Sequence, residues 1–205
     1  MKHSVFAAAF AALCACAPAE RGAPEASRAV IVTSLGEITV ELDGDAAPVS
    51  SANFASLARA GVYDGGSFYR AVRPDNDRPE VEPMSLIQGG HSFDGLPEAT
   101  GIAHESTLET GLSHTRGAIS MARFEPGTAT SEFFIMVADY PGLDAGPGTR
   151  NPDEQGYAVF GRVVEGMDVV EAIWGAPTSA ANAPEDFNYA QFLNDPVRIE
   201  TVRVE

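Results

Sequence analysis

Short alternating apolar runs, cut by turn residues, recur along most of this chain and leave it few folds to choose from. Glu37-Ile38-Thr39-Val40-Glu41-Leu42 shows the pattern: Ile38, Val40 and Leu42 share one face, while Glu37, Thr39 and Glu41 share the other. That is the signature of a strand with one side buried. Residues 29–33 precede it across Ser34-Leu35-Gly36, so the two are expected to form a hairpin. Further strands are expected at 68–72, 117–122, 132–138, 157–164 and 197–204. Only two helices stand out. Pro48 opens one that runs to about Ala60 and stops at Gly61, with Val49, Ala52, Phe54, Leu57 and Ala58 on its apolar face. The other spans 167–174 after the Glu165-Gly166 turn. Residues 74–83, 139–156 and 175–195 form loops rich in Pro, Gly, Asp or Asn, and no internal repeat is present. Many short strands in an open sheet would expose edges, and closure into a barrel removes them. The expected class is therefore mainly β, built around a closed antiparallel barrel.

The first residues set the compartment. Residues 1–19 have the form of an export signal: Lys2 is basic, and the apolar stretch from Val5 to Leu13 is too short to span a bilayer. Leu13-Cys14-Ala15-Cys16 resembles a bacterial lipobox, which would make Cys16 the lipidated first residue of the mature chain. Cleavage after Ala17-Pro18-Ala19, an A-x-A site, is the alternative. A disulfide or metal role for Cys14 and Cys16 is disfavoured, since they lie two apart inside the signal and no third cysteine exists. Residues 20–28 are small, polar and Pro-containing, a flexible tether, and 29–205 form one domain. No later run approaches the ~20 apolar residues of a membrane span. The expected location is the periplasm or cell envelope, with membrane contact only through acyl chains.

Charge narrows the partners. Against 13 Lys and Arg stand 29 Asp and Glu, a formal charge of −16 that repels phosphate backbones and argues against nucleic acid. His91, His104, His114 and Glu105 match no metal-ligand spacing, so no metal site is expected. Neither a phosphate-cradling loop nor a Ser/His/Asp set in a recognisable context is present.

Five segments carry chemistry as well as pattern. They are Phe68-Tyr69-Arg70, Ile87-Gln88-Gly89-Gly90, Gly117-Ala118-Ile119-Ser120-Met121-Ala122, Ser131-Glu132-Phe133-Phe134-Ile135, and Phe160-Gly161-Arg162-Val163-Val164-Glu165-Gly166-Met167. In this order and spacing they resemble the cyclophilin family of peptidyl-prolyl cis–trans isomerases, across about residues 29–174 and the terminal strand. The resemblance implies an eight-stranded antiparallel barrel capped by two α-helices, a monomer without cofactor, and proline-containing segments of folding exported proteins as partners.

The chemistry needed is modest in kind. An X–Pro bond prefers trans only slightly, yet amide resonance sets a barrier of about 18–20 kcal/mol. A catalyst must favour the twisted state, in which the prolyl nitrogen regains its lone pair. A guanidinium, always charged and rich in directed donors, suits that task. A ten-thousand-fold effect needs roughly 5–6 kcal/mol of preferential stabilisation.

By resemblance Arg70 takes this catalytic role, and Gln88 bonds the substrate backbone beside the proline. Met121, Phe134 and Leu143 match the proline pocket, Ala122 and Arg123 fall where backbone groups meet the substrate, and Leu86 falls at the rim. Phe68, Tyr69, Glu132 and Tyr157 complete the expected contacts, and Gly89 and Gly90 serve backbone geometry. His114 falls at a structural histidine position. Several residues depart from the family pattern. Tyr69 and Tyr157 stand where histidines are expected, Ser85 replaces a pocket phenylalanine, Glu132 replaces a glutamine, and Gly142 lies where a tryptophan is often found. Loss of the phenylalanine opens one wall, and Glu132 is placed to compete for the donors of Arg70. The expected function is prolyl isomerisation in exported proteins, whether strong or residual. The alternative is an idle module of the same fold that binds proline-containing peptides or an envelope partner.

Overall fold

The computed structural model describes residues 28–91, 99–184, 187 and 189–205, so the expected signal and most of the tether lie outside the described residues. The strands are β1 (Arg28–Thr33), β2 (Gly36–Leu42), β3 (Ser67–Val72), β4 (Leu86–Gly90), β5 (Ala118–Met121), β6 (Phe133–Met136), β7 (Ala158–Glu165), β8 (Thr178–Ser179) and β9 (Phe192–Val204). Each pairs antiparallel with its neighbours in the order β1-β2-β7-β5-β6-β4-β3-β9, and β1 pairs back onto β9. Eight strands therefore close a barrel, and β8 lies outside it against β9. Closure leaves the barrel strands no free edge. The hairpin at 34–36 forms as expected, and Gly36, at φ +141°, packs under Val169, where a Cβ would meet a methyl at 2.8 Å.

The helices are α1 (Pro48–Arg59), the single turn α2 (Thr107–Thr110) and α3 (Met167–Trp174). The buried face of α1 differs from the expected one. Val49 is 38% exposed, whereas Ser50, Ser51, Phe54, Ala55 and Ala58 are buried. Hydrogen bonds, rather than apolar packing, dock its first turn. The Glu105 carboxylate accepts from the N–H groups of Val49 and Ser50, both at 2.8 Å, and Ser51 Oγ donates to the Phe160 carbonyl at 3.1 Å. A carboxylate on an open helix N-terminus fills orphan donors and opposes the macrodipole.

The last strand starts at Phe192 rather than at residue 197, and β8 forms inside the segment expected to be irregular. Asn194-Asp195-Pro196 hides this in the sequence, because proline within a run argues against a strand.

Alternation along the strands sorts the apolar residues into two layers. Phe68, Ile87, Ile119, Met121, Phe133 and Ile135 point into the barrel and pack with Phe54, Tyr63 and Phe160. Leu86, Ala118, Phe134, Met136 and Val159 point outward and form a second cluster with Val72, Met84, Tyr140 and Leu143 on the barrel wall. The inner layer is an aromatic stack, with Phe54 5.1 Å from Tyr63 and 5.4 Å from both Phe133 and Phe160. Tyr63 lies there fully buried, and its hydroxyl has no hydrogen-bond partner among the described residues. Such a group carries its desolvation cost uncompensated. Tyr63→Phe is expected to stabilise the fold by about 1 kcal/mol and to raise the melting temperature by roughly 2–4 °C, read by calorimetry.

Candidate active site

The site grows from a register row. Arg70 on β3 lies opposite Gln88 on β4, Gln88 opposite Phe134 on β6, and Phe134 opposite Ser120 on β5. Residues directly opposed across antiparallel strands share a face, and here Phe134 marks it as the outer one. Arg70 reaches that face through a bulge. The ladder to β4 passes from Phe68–Gly89 to Arg70–Gln88, so Tyr69 is the extra residue there, and the ladder to β9 shifts at the same point, from Val197 to Phe192. Strict alternation would send Arg70 inward with Phe68; the bulge re-aims it.

The guanidinium is held on two sides. Its Nη1 donates to Gln88 Oε1 at 2.7 Å, while Nε and Nη2 both donate to Gln191 Oε1, at 3.0 and 2.6 Å. The Phe187 ring lies 5.0 Å from its carbon. Burial pulls the Arg70 pKa down to about 10, so it keeps its charge at neutral pH. A guanidinium has five N–H donors, and among the described residues these bonds leave one on each of Nη1 and Nη2 uncommitted.

Behind Arg70 runs a directed chain. The Gln88 amide, its oxygen on Arg70, donates through Nε2 to the Tyr69 hydroxyl at 3.0 Å, and that hydroxyl donates to Glu132 Oε2 at 2.7 Å. Ser131 Oγ donates to the other Glu132 oxygen at 3.1 Å. Burial, then the neighbouring Glu132 charge, push the Tyr69 pKa far up, which keeps it a neutral donor. Gly90, at φ +152°, lies against this carboxylate; a Cβ there would sit 2.5 Å from Glu132 Oε1. The donors of Arg70 thus go to two glutamines, not to the competing carboxylate anticipated from the sequence.

Beside this row opens a cleft of 510 Å³, well within the range of small-ligand sites. Of the expected contacts, Arg70, Leu86, Gln88, Ala122, Arg123, Glu132, Phe134, Leu143 and Tyr157 line it. Phe68 and Met121 do not, because alternation turns both into the barrel core. Tyr69 is also off the lining and is buried beneath it. Phe134 forms an apolar floor, edge-on to Tyr157 at 5.3 Å and stacked on His114 at 5.7 Å. His114 is fully buried; its Nδ1 pairs with Asp144 at 2.6 Å and its Nε2 with Ser120 Oγ at 3.1 Å. In this Ser-His-Asp array Ser120 and His114 are both 0% exposed, so no substrate reaches the hydroxyl and the array serves to fix Phe134. The other described histidines bond backbone carbonyls, His91 that of Val62 and His104 that of Gln155. No cluster of metal-ligating groups occurs among the described residues.

The sequence reading missed Gln191, Phe187 and Tyr189, all in the segment 175–195 and all on the cleft. They bring aromatic surface to a cleft whose expected phenylalanine is Ser85. An aromatic-rich run, Phe187 to Phe192, inside an otherwise polar stretch was the available signal. Gln191 is 1% exposed, and its amide donates to the Asn76 carbonyl at 3.0 Å. It thereby ties Arg70 to the loop at 74–83. Gln191→Ala should leave KM nearly unchanged and lower kcat about tenfold, ~1.4 kcal/mol, because the guanidinium loses the acceptor that aims it. Steady-state isomerisation kinetics measure that split.

These features coincide with one known family. The model of the cyclophilin type peptidyl-prolyl cis-trans isomerases matches residues 28–204, and the chain belongs to that family. It is 37% identical over 175 residues to a peptidyl-prolyl cis-trans isomerase of Acinetobacter baylyi, covering 84% of this chain and 82% of that one. It is 35% identical over 184 residues to peptidyl-prolyl cis-trans isomerase A of Dickeya dadantii, covering 89% and 86%. Among solved structures, a cyclophilin type isomerase of Cryptosporidium parvum, crystallised in the presence of the dipeptide Ala-Pro, shares the fold. Its TM-score is 0.65 at 20% identity, over 87% of this chain and 98% of that one.

Proposed function

We propose that this chain is a peptidyl-prolyl cis–trans isomerase in which Arg70 donates to the prolyl nitrogen of a peptide seated in the cleft beside Phe134. One observation carries the reading: Arg70 is fixed by Gln88 and Gln191 yet keeps an N–H on each terminal nitrogen. Fixed donors cost no reorganisation when the amide twists. The apolar wall of Phe134, Leu143 and Leu86 receives the pyrrolidine ring, and the second N–H of Gln88 Nε2 takes the substrate backbone. No bond breaks, so no cofactor enters the cycle.

The substrates in this reading are proline-containing segments of exported proteins, met in the cell envelope by a chain anchored through Cys16. The support is the Lys2, apolar and Leu13-Cys14-Ala15-Cys16 pattern in the sequence. Two measurements test the reading. The full chain should accelerate the slow refolding phase of a protein limited by X–Pro exchange, which otherwise takes tens of seconds or longer. In cells, Cys16→Ala should move the protein from the membrane fraction to the soluble one. An unaltered slow phase would sink the enzymatic part, and unchanged fractionation would sink the anchor.

A further inference from the structure

Four arginines line the cleft, and three are held by acceptors of the protein itself. Arg70 bonds Gln88 and Gln191, Arg123 pairs with Asp153 at 2.7 Å, and Arg150 pairs with Asp77 at 2.6 Å. Arg78 differs. Its backbone N–H is anchored on Asp77 Oδ1 at 2.8 Å, but its half-buried guanidinium has no hydrogen bond or ion pair among the described residues. The neighbouring Asp77 carboxylate goes to others: it receives Arg150, Met84 N–H, Arg78 N–H and, at 3.4 Å, Gln191 Nε2. Five directed donors on a permanent cation, partly removed from water and facing a peptide-sized cleft, select for a carboxylate. The bias is local, since the chain as a whole carries −16.

We infer that Arg78 is a specificity-determining residue that favours prolyl segments bearing an acidic side chain close to the proline. The inference rests on the reading of this cleft as the site for proline-containing peptides. An Asp or Glu carboxylate on the bound peptide takes the Arg78 donors, while the prolyl ring meets Phe134 and the prolyl nitrogen meets Arg70. In this reading Arg78 meets a side chain of the peptide rather than the rotating bond, so it sets the preference between peptides.

The test uses N-acetylated, C-amidated X-Pro peptides, with X alanine unless it is the substituted position, which removes terminal carboxylates from the comparison. Glu or its neutral isostere Gln is placed directly before the proline, directly after it, or one residue further on. Equilibrium binding and isomerisation are measured for the full chain and for Arg78→Gln. At one of the three positions Glu should be preferred about three- to tenfold by the unmutated chain, the range of a partly exposed ion pair. Arg78→Gln should abolish that preference, the Glu peptides losing about three- to tenfold more than the Gln peptides. Because both proteins share nearly the same overall acidic field, the ratio of ratios isolates Arg78. A Glu-to-Gln ratio that Arg78→Gln does not change at any position overturns the proposal, as does an equal loss for both peptides. Glu-selective binding without turnover would uphold it and refute the isomerase reading. Turnover without Glu selectivity would do the reverse, and absence of peptide binding would overturn both.

Discussion

Arg70→Ala is expected to lower kcat/KM for a short X-Pro peptide about 10²–10³-fold, the loss seen when a preorganised donor to a transition state is removed. The loss should fall almost wholly on kcat. Phe134, Leu143 and Leu86 still receive the proline ring, so ground-state binding survives while the donor to the developing lone pair is gone. Arg70→Lys should recover little, because an ammonium cannot bond Gln88 and Gln191 as a planar fork while presenting further N–H groups to the peptide. Steady-state kinetics at low temperature separate the two parameters. A rise in KM with kcat intact would mean that Arg70 only binds.

The second large effect concerns stability. Asp77 and Arg150 form an ion pair whose side chains are 1% and 3% exposed, joining the loop at 74–83 to the loop at 139–156. Arg150 also donates to the Glu82 carbonyl at 3.0 Å and stands 5.9 Å from the Tyr140 ring. Asp77→Ala strands the guanidinium in this setting and should cost about 3–5 kcal/mol, roughly 10 °C of melting temperature. Activity should fall too, since Gln191 leans on Asn76 in the same loop. The pH dependence follows from the same groups. Burial raises the Asp77 pKa, but bonds from Met84 N–H, Arg78 N–H and Arg150 outweigh it and hold the group below its ordinary value. Asp144 behaves alike: burial raises it, and hydrogen bonds from His114 and Ser113 bring it below the usual range. Folded pKa values below the unfolded ones mean stability that is complete above about pH 5 and lost progressively as pH falls past the ordinary carboxylate value near 4 and through the lower folded values. Melting temperature should therefore be level from neutral pH down to about pH 5 and drop below it. The drop should be shallower in Asp77→Ala, one depressed carboxylate having been removed.

Much of this was legible in the sequence, for definite reasons. Alternation in 37–42 specifies which residues face the barrel, and the Glu165-Gly166 turn specifies where α3 begins. The Arg70–Gln88–Phe134 row could be anticipated because the short segments that carry it resemble the cyclophilin family in order and spacing, and strand pairing then sets the three side by side. The inward placement of Met121 and Phe68 was less accessible. It depends on which residue of β3 is the bulge and on how β5 meets β7, and neither is encoded in local pattern. Gln191 and Phe187 were invisible for another reason. Pro196 broke the apparent strand, so the residues before it looked like loop although they pack on Arg70. Charge partners were equally opaque: Glu105 caps α1 across 56 positions of sequence, and Asp77 meets Arg150 across 73.

The central claim is that the fixed donor Arg70 catalyses rotation about the X–Pro bond, and two-dimensional exchange NMR on a short Ala-Pro peptide tests it most directly. With a catalytic amount of the full chain, cross-peaks linking the cis and trans resonances should appear on a timescale where the free peptide shows none. They should vanish with Arg70→Ala while the peptide still shifts on binding. Peptide shifts without exchange cross-peaks in the unmutated chain would contradict the account and leave a proline-peptide binding module.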